Sequence, residues 1–341
     1  MKRSTSRKLI GVAVGALFLA LTAWSVEWER VAGSLAAARF EFLAPIAFLL
    51  TAHYFFKALR WRVLLSGTAT VPRMFALRLT MVGFLMNNIL PARIGEVGRP
   101  YLLSANRPEV PFSFALATVV GDKLFDLLII VLMLLGLSFV LPLPPFARAG
   151  ILVLVVVSLG VIGASLTAAA WERRERETGG SRIMNRLLCL FGHRRDKVRG
   201  ALLGFARGLA TISSTRRAFL AMLYSALAFA CLGAVIHFTL LMVNLEPSVL
   251  TALSVIGLTG IGFMLPAPPT NAGNFHFFAS AALMFSMEVG AEEAFSFALV
   301  SHVTQVILVT VLGAASLVGL DWRRLSHVDA ASARSEELAP R

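Results

Sequence analysis

Gly83-Phe84-Leu85-Met86-Asn87-Asn88-Ile89-Leu90-Pro91-Ala92-Arg93-Ile94-Gly95-Glu96-Val97-Gly98-Arg99-Pro100-Tyr101-Leu102-Leu103 is the stretch whose reading decides the fold. An apolar, helix-like run reaches Asn87 and Asn88, meets Pro91, and is followed at once by Arg93, Glu96 and Arg99. Proline has no amide donor and clashes with the preceding turn, so the helix is expected to break near Leu90. Proline also suits a first helical position, which predicts a restart at Pro91. The free amides of that restart would bring the positive end of a helix dipole into the interior and favour an anion. Arg93, Glu96 and Arg99 fall three apart and share one face of the restarted helix, arranged either to hold a phosphate or to close an ion-pair ladder. Asn87 and Asn88 are placed to cap the broken backbone, with Asn88 also within a candidate ligand site. Broken backbone at membrane depth is tolerated only where protein covers it or where it lines a wet cavity, so a site is expected here.

The rest of the chain agrees with a membrane setting. Its 57% hydrophobic content and mean hydropathy of +0.77 exceed those of soluble domains, and several runs reach the roughly 18 apolar residues that a span requires. This predicts an all-α polytopic membrane protein. The formal charge of +13 clusters in short loops between apolar runs, which marks cytoplasmic loops and not a nucleic-acid surface. Aromatics interleaved with the basic residues, as single-stranded nucleic acid would require, are nearly missing. Cys189 lies in a basic loop and Cys231 in an apolar run, so neither a disulfide framework nor a metal site is indicated. Nothing resembles a P-loop, a zinc-protease helix or a nucleophile elbow, and no cofactor and no enzymatic activity are expected.

Charge and hydropathy lay out the chain. Basic residues from Met1 to Lys8 precede an apolar run to Val26 that is longer than a signal core of about 7–15 residues, so it is read as a retained first span with a cytoplasmic amino end. Span two, about 42–59, ends in Lys57, Arg60 and Arg62 on the cytoplasmic side, and spans three and four occupy about 113–140 and 148–170. Arg78 near the start of the interrupted region fits a snorkelling role. The basic loop 171–217 is placed in the cytoplasm, with weakly amphipathic pieces at Ile183–Leu190 and Val198–Leu209 expected along the leaflet. Parity then makes the interrupted region, about 73–112, a hairpin that leaves on the side where it began. Span five covers about 218–243 and the last span about 295–320. Between them, at about 248–287, lies a second interrupted stretch broken by Pro266, Pro269 and Gly273, which by the same parity starts and finishes outside. Two halves of span, Pro-broken hairpin and span, started from opposite sides, outline an inverted repeat with a midplane site. The expected organisation is one transmembrane domain over 1–320, with halves 1–170 and 218–320, and a polar cytoplasmic tail at 321–341.

Further ionisable groups mark the site. Asp122, Lys123 and Asp126 lie within span three, where each charge costs about 2.5–3.5 kcal/mol to insert unless paired or wet. Asp122 and Asp126 share a face and Lys123 reaches Asp126 at three apart. Two readings remain open: an ion-pair structure joining span three to the first hairpin through Arg93 or Arg99, and a direct proton or ligand role. In the second hairpin Asn271, Asn274 and His276 supply donors, with His276 facing His302 and Gln305 of the last span. Gly257, Gly260 and Gly262 are expected to serve close helix packing, and His53 and His237 ordinary packing.

At Asn88-Ile-Leu-Pro91-Ala-Arg93-Ile-Gly95-Glu96, followed by Asp122-Lys-Leu-Phe-Asp126, and again at Gly273-Asn-Phe-His276, the chain resembles the lysylphosphatidylglycerol synthase transmembrane-region family of flippase-like integral membrane proteins. Thr270 follows Pro269 where that family often has glycine. The resemblance implies movement of a lipid, or help to a lipid-linked pathway, in a bacterial inner membrane. In members with two activities a soluble aminoacyl-transfer domain is joined on, and the short tail after Arg324 does not imply it. The function expected is therefore a translocase for a phosphate-bearing lipid. Arg93, Arg99, Asn88, Asn271, Asn274 and His276 would hold the headgroup, and Glu96, Asp122, Lys123, Asp126 and His302 would serve proton exchange or ion pairing. An intramembrane enzyme or accessory subunit acting on a polyprenyl-phosphate lipid is the alternative. The partners implied are a lipid with an anionic headgroup and enzymes of lipid biosynthesis.

Overall fold

The computed structural model describes residues 16–22, 27–90, 93–141, 143–178, 195–265, 268–318 and 320, and the regular structure among them is helical. A helical run over 16–22 and α1 (Trp28–Ala36) precede α2 (Leu43–Leu65). The first interrupted region is α3 (Arg73–Ile89) and α4 (Gly95–Asn106), followed by α5 (Phe112–Ser138) and α6 (Pro145–Thr178). After α7 (Arg195–Ala210) come α8 (Thr215–Met242), the second interrupted region α9 (Val249–Gly262) and α10 (Asn274–Met287), and α11 (Ala291–Leu317).

Helix length separates two kinds of element. The helices Phe40–Leu65, Pro145–Glu175, Thr215–Met242 and Ala291–Leu317 are long and apolar enough to cross a bilayer. α5 has 27 residues but carries Asp122, Lys123 and Asp126. By contrast α3, α4, α9 and α10 have 17, 12, 14 and 14 residues, about 18–26 Å at 1.5 Å per residue, short of a hydrocarbon core of about 30 Å. α3 packs on α4 and α9 on α10, so each pair is a hairpin of half-length helices.

The contacts repeat when the halves are exchanged. α2 packs along α8, and the Arg39 amide before α2 donates to the Met242 carbonyl at the end of α8 at 2.8 Å, so the two run antiparallel. α3 of the first hairpin lies on α11 of the second half, and α9 of the second hairpin lies on α5 of the first. Glycines permit the second of these contacts: Gly257 faces Leu134 and Gly260 faces Ile130, while Gly262 lets Phe278 of α10 approach. The largest apolar core draws on both halves, from Ile46 and Leu50 to Phe297 and Val309. The hydropathy argument for an inverted arrangement therefore has a counterpart in packing.

Several boundaries differ from the sequence reading. α2 runs through Lys57 and Arg60 to Leu65 instead of ending near residue 59, because those two charges are buried and paired inside the bundle and do not mark a membrane surface. α4 begins at Gly95, four residues after the expected restart; Pro91 and Pro266 lie outside the described residues. α6 extends past residue 170, where Glu172 and Glu175 pair with Arg207 and Arg199 of α7. α7 covers the Val198–Leu209 piece and docks on the protein, Gly204 against Ser113 and Gly208 against Phe114. Met1–Lys8, Ile183–Leu190, Cys189 and the tail 321–341 are outside the described residues.

Candidate functional site

The site is built on α5. Asp122 and Asp126 are four apart and point to one side, and α2 presents Lys57 and Arg60, three apart, to meet them. Arg60 is fully buried; its Nε donates to Asp122 Oδ1 at 2.6 Å, and its Nη1 to Asp126 Oδ1 at 2.8 Å and to Ser225 Oγ at 2.9 Å. Lys57 Nζ lies 3.0 Å from Asp126 Oδ2. Arg99 of α4 donates through Nη2 to Asp122 Oδ2 at 3.1 Å, with its guanidinium 4.3 Å above the Trp61 ring. Desolvation is offset here by short, multiply bonded pairs, the condition for a buried charge to persist. Arg99 is thus paired within the bundle, where it and Arg60 take one carboxylate oxygen of Asp122 each. Lys123 does not bond Asp126, whose oxygens are held by Lys57 and Arg60; its Nζ reaches Glu96 Oε1 of α4 at 2.7 Å. These pairs tie α5 to α2 and, through Arg99 and Glu96, to the first hairpin; among the described residues Arg93 forms no ion pair within 4 Å.

The hairpin tips meet. Arg93 has a left-handed backbone, φ 53°, and lies before α4 instead of on its face. Its Nη2 donates to Asn271 Oδ1 at 3.1 Å, and its guanidinium stands 5.7 Å over the Phe263 ring, both in the tip of the second hairpin. That tip also holds Thr270, Asn271 and Gly273 at positive φ, conformations that cost non-glycine residues about 1–3 kcal/mol and that cluster at functional positions. Asn87 accepts the Gly95 amide through Oδ1 at 2.8 Å, the capping role expected. Glu96 in the first turn of α4 sets a carboxylate at the positive end of that helix. Gly95 is forced: a Cβ there would sit 1.8 Å from the Gly83 carbonyl oxygen.

A cavity of about 500 Å³ lies between the halves beneath these tips. Asn88, Arg93, Glu96, Lys123, Asp126, Asn271 and His302 line it, as does Lys57. Apolar side chains complete the lining, among them Leu50, Leu127, Ile130, Leu232, Ile236 and Val309. His302 Nε2 donates to the Thr270 carbonyl at 2.9 Å, and Asn88 Nδ2 is buried without a partner. Arg99, Asp122, Asn274 and His276 do not line the cavity. Asn274 is fully buried and donates to the Gly262 carbonyl at 3.3 Å, so it closes the break in the second hairpin. His276 accepts the Gly273 amide at Nδ1 and packs on His302, ring centroids 4.7 Å apart, behind the cavity wall. The two imidazoles stand nearly edge to face, and His276 Nε2 is buried without a hydrogen-bond partner. His53 also lines the cavity, its Nδ1 2.8 Å from the Ala228 carbonyl.

Lys57 and Arg60 are what sequence reasoning missed as site residues. A signal existed, since two acids in α5 demand buried cations and Lys57 and Arg60 share a helical face, but lysine and arginine near an assumed span end read as anchors.

The family model described as "Lysylphosphatidylglycerol synthase TM region" matches residues 8–313, most of the chain. No curated protein and no solved structure matches.

Proposed function

Since the chain belongs to the lysylphosphatidylglycerol synthase transmembrane-region family, a multi-pass membrane protein related to lipid handling, we propose that it translocates a phosphate-bearing lipid between bilayer leaflets and makes or breaks no covalent bond. The observation that carries this reading is the cavity at the meeting of the hairpin tips, lined by charged and by apolar side chains together. Arg93 points into it, and among the described residues no carboxylate forms an ion pair with it. A phosphate headgroup would displace the Asn271 amide oxygen from Arg93 and gain a charge-assisted bond. The apolar side chains of the lining would take the first carbons of the tails, while the remainder stays in the bilayer, so only the headgroup needs a polar path. Half-length hairpins that meet at their tips could exchange access by rocking of one half against the other. We place the protein in a bacterial inner membrane with both termini cytoplasmic, on the distribution of basic loops.

The test is headgroup movement in sealed proteoliposomes. Arg93→Ala is expected to abolish it while leaving the melting temperature in detergent within a few degrees, because the Arg93 side chain makes one hydrogen bond to a neutral partner. Undiminished movement by a folded Arg93→Ala protein would remove the assignment. Headgroup turnover by detergent-solubilised wild type, where no second compartment exists, would replace translocation with catalysis.

A further inference from the structure

Resting on that reading of the cavity, we infer that the lipid it takes carries a phosphate monoester, a dianion, and not a singly charged diester or a zwitterion. The cavity wall and the ion-pair cluster behind it form one connected set. Lys57, Arg60, Arg93, Arg99 and Lys123 stand against Glu96, Asp122 and Asp126. Five cations face three carboxylates, a surplus of two among the described residues. The pairing pattern says where the surplus lies. Lys123 and Glu96 neutralise one another. Lys57, Arg60 and Arg99 share two carboxylates and leave one positive charge over, and of the three only Lys57 reaches the cavity. Arg93 supplies the other: its hydrogen bond goes to the Asn271 amide oxygen, and Glu96, the carboxylate that acts on it, is already bonded to Lys123. The cluster with its one surplus charge, through Lys57, and Arg93 therefore border the same cavity. Protonation of the wall's histidines, His53 and His302, would only enlarge the excess.

Salt screens such charges poorly where water is sparse, so the counter-charge falls to a bound ligand. A phosphate monoester carries about −1.5 to −2 at neutral pH, against one charge on a diester. Hydrogen bonding asks for the same group: Asn88 Nδ2 is buried without an acceptor, and the guanidinium of Arg93 makes a single hydrogen bond. Terminal phosphate oxygens, acceptors only, would answer these donors together. The apolar side chains of the lining do not distinguish a diacyl from a polyprenyl tail, so the shared chemistry is a monophosphate on a long hydrocarbon.

The experiment measures binding to the full chain in phosphatidylcholine nanodiscs by displacement of a fluorescent phosphatidic acid. The competitors are phosphatidic acid, a polyprenyl monophosphate, phosphatidylglycerol and phosphatidylethanolamine. At least one monoester is expected to bind about ten-fold or more tighter than both of the last two, and the stronger monoester identifies the tail. Equal or tighter binding of a diester would overturn the inference. Asn271→Asp, which sets a carboxylate against Arg93, is expected to erase most of the monoester advantage; an unchanged advantage in the folded variant would also overturn it. Should Asn271→Asp fail to fold, Asn88→Asp carries the same expectation. Proteoliposomes separate the two levels. Movement of diester lipids with no monoester preference sinks this inference and leaves translocation standing, whereas selective monoester binding with no movement of any lipid does the reverse.

Discussion

Arg60 and Arg93 are the same residue type at opposite ends of one electrostatic scale. Arg60 is fully buried and holds two carboxylates and a serine, so its removal would leave Asp122 and Asp126 short of a partner in a dry interior. Arg60→Ala is expected to destabilise the protein by about 3–5 kcal/mol, read as loss of a folded peak in size-exclusion or as a large fall in melting temperature. Lys123→Ala breaks an ion pair whose side chains are 36% and 24% exposed, and its expected cost is below about 1 kcal/mol on the same assay. Comparable losses in the two variants would mean that the buried cluster does not hold α2 to α5. At this scale the sequence was half legible. Asp122 and Asp126 stood out because carboxylates are rare in apolar runs, whereas Lys57 and Arg60 sat close enough to a loop to pass for anchors.

For single elements the decisive objects are the two hairpins, and their tips are made by glycine and by left-handed residues. Gly95→Ala would drive a methyl group into the Gly83 carbonyl and the Asn87 cap at once, and is expected to cost about 3 kcal/mol or more, beyond ordinary overpacking because backbone must move. Gly136→Ala in α5 meets nothing within 4 Å and is expected to be neutral or to stabilise by about 0.5–1 kcal/mol. Thermal unfolding of both variants checks the contrast, and a tolerated Gly95→Ala would show that α3 and α4 do not close as described. The existence of these breaks was readable from proline, asparagine and glycine in apolar runs. Their register was not: α4 waits until Gly95 because the left-handed turn at Arg93 and the Asn87 cap set the start.

Across the whole molecule, exchanging the halves maps α3 on α11 onto α9 on α5, so the arrangement has direction as well as shape. Single cysteines at Arg217, in the first turn of α8, and at Glu288, after α10, are expected to label from opposite sides of a sealed membrane, with the native cysteines replaced by serine. Labelling of both from one side would contradict opposed hairpins. A cysteine pair at Arg93 and Asn271, where the tips touch, is expected to be joined by a short bifunctional maleimide, read as a mobility shift on a denaturing gel. Failure of the folded pair to join would contradict the meeting of the tips.

What the sequence by itself determined is what depends on local chemistry: helices from apolar runs, breaks from residues that cannot continue a helix, a membrane setting from composition, and a marked site from charge where charge is expensive. Which cation answers which carboxylate was decided only by the fold. Ion pairs between α2, α4 and α5 join residues up to 69 positions apart, and nothing in local spacing distinguishes Arg60, which closes the cluster, from Arg93, which is left facing the cavity. That distinction comes from helix packing, which carried Lys57 and Arg60 inward beside Asp126 and set Arg93 against a neutral amide from the other half.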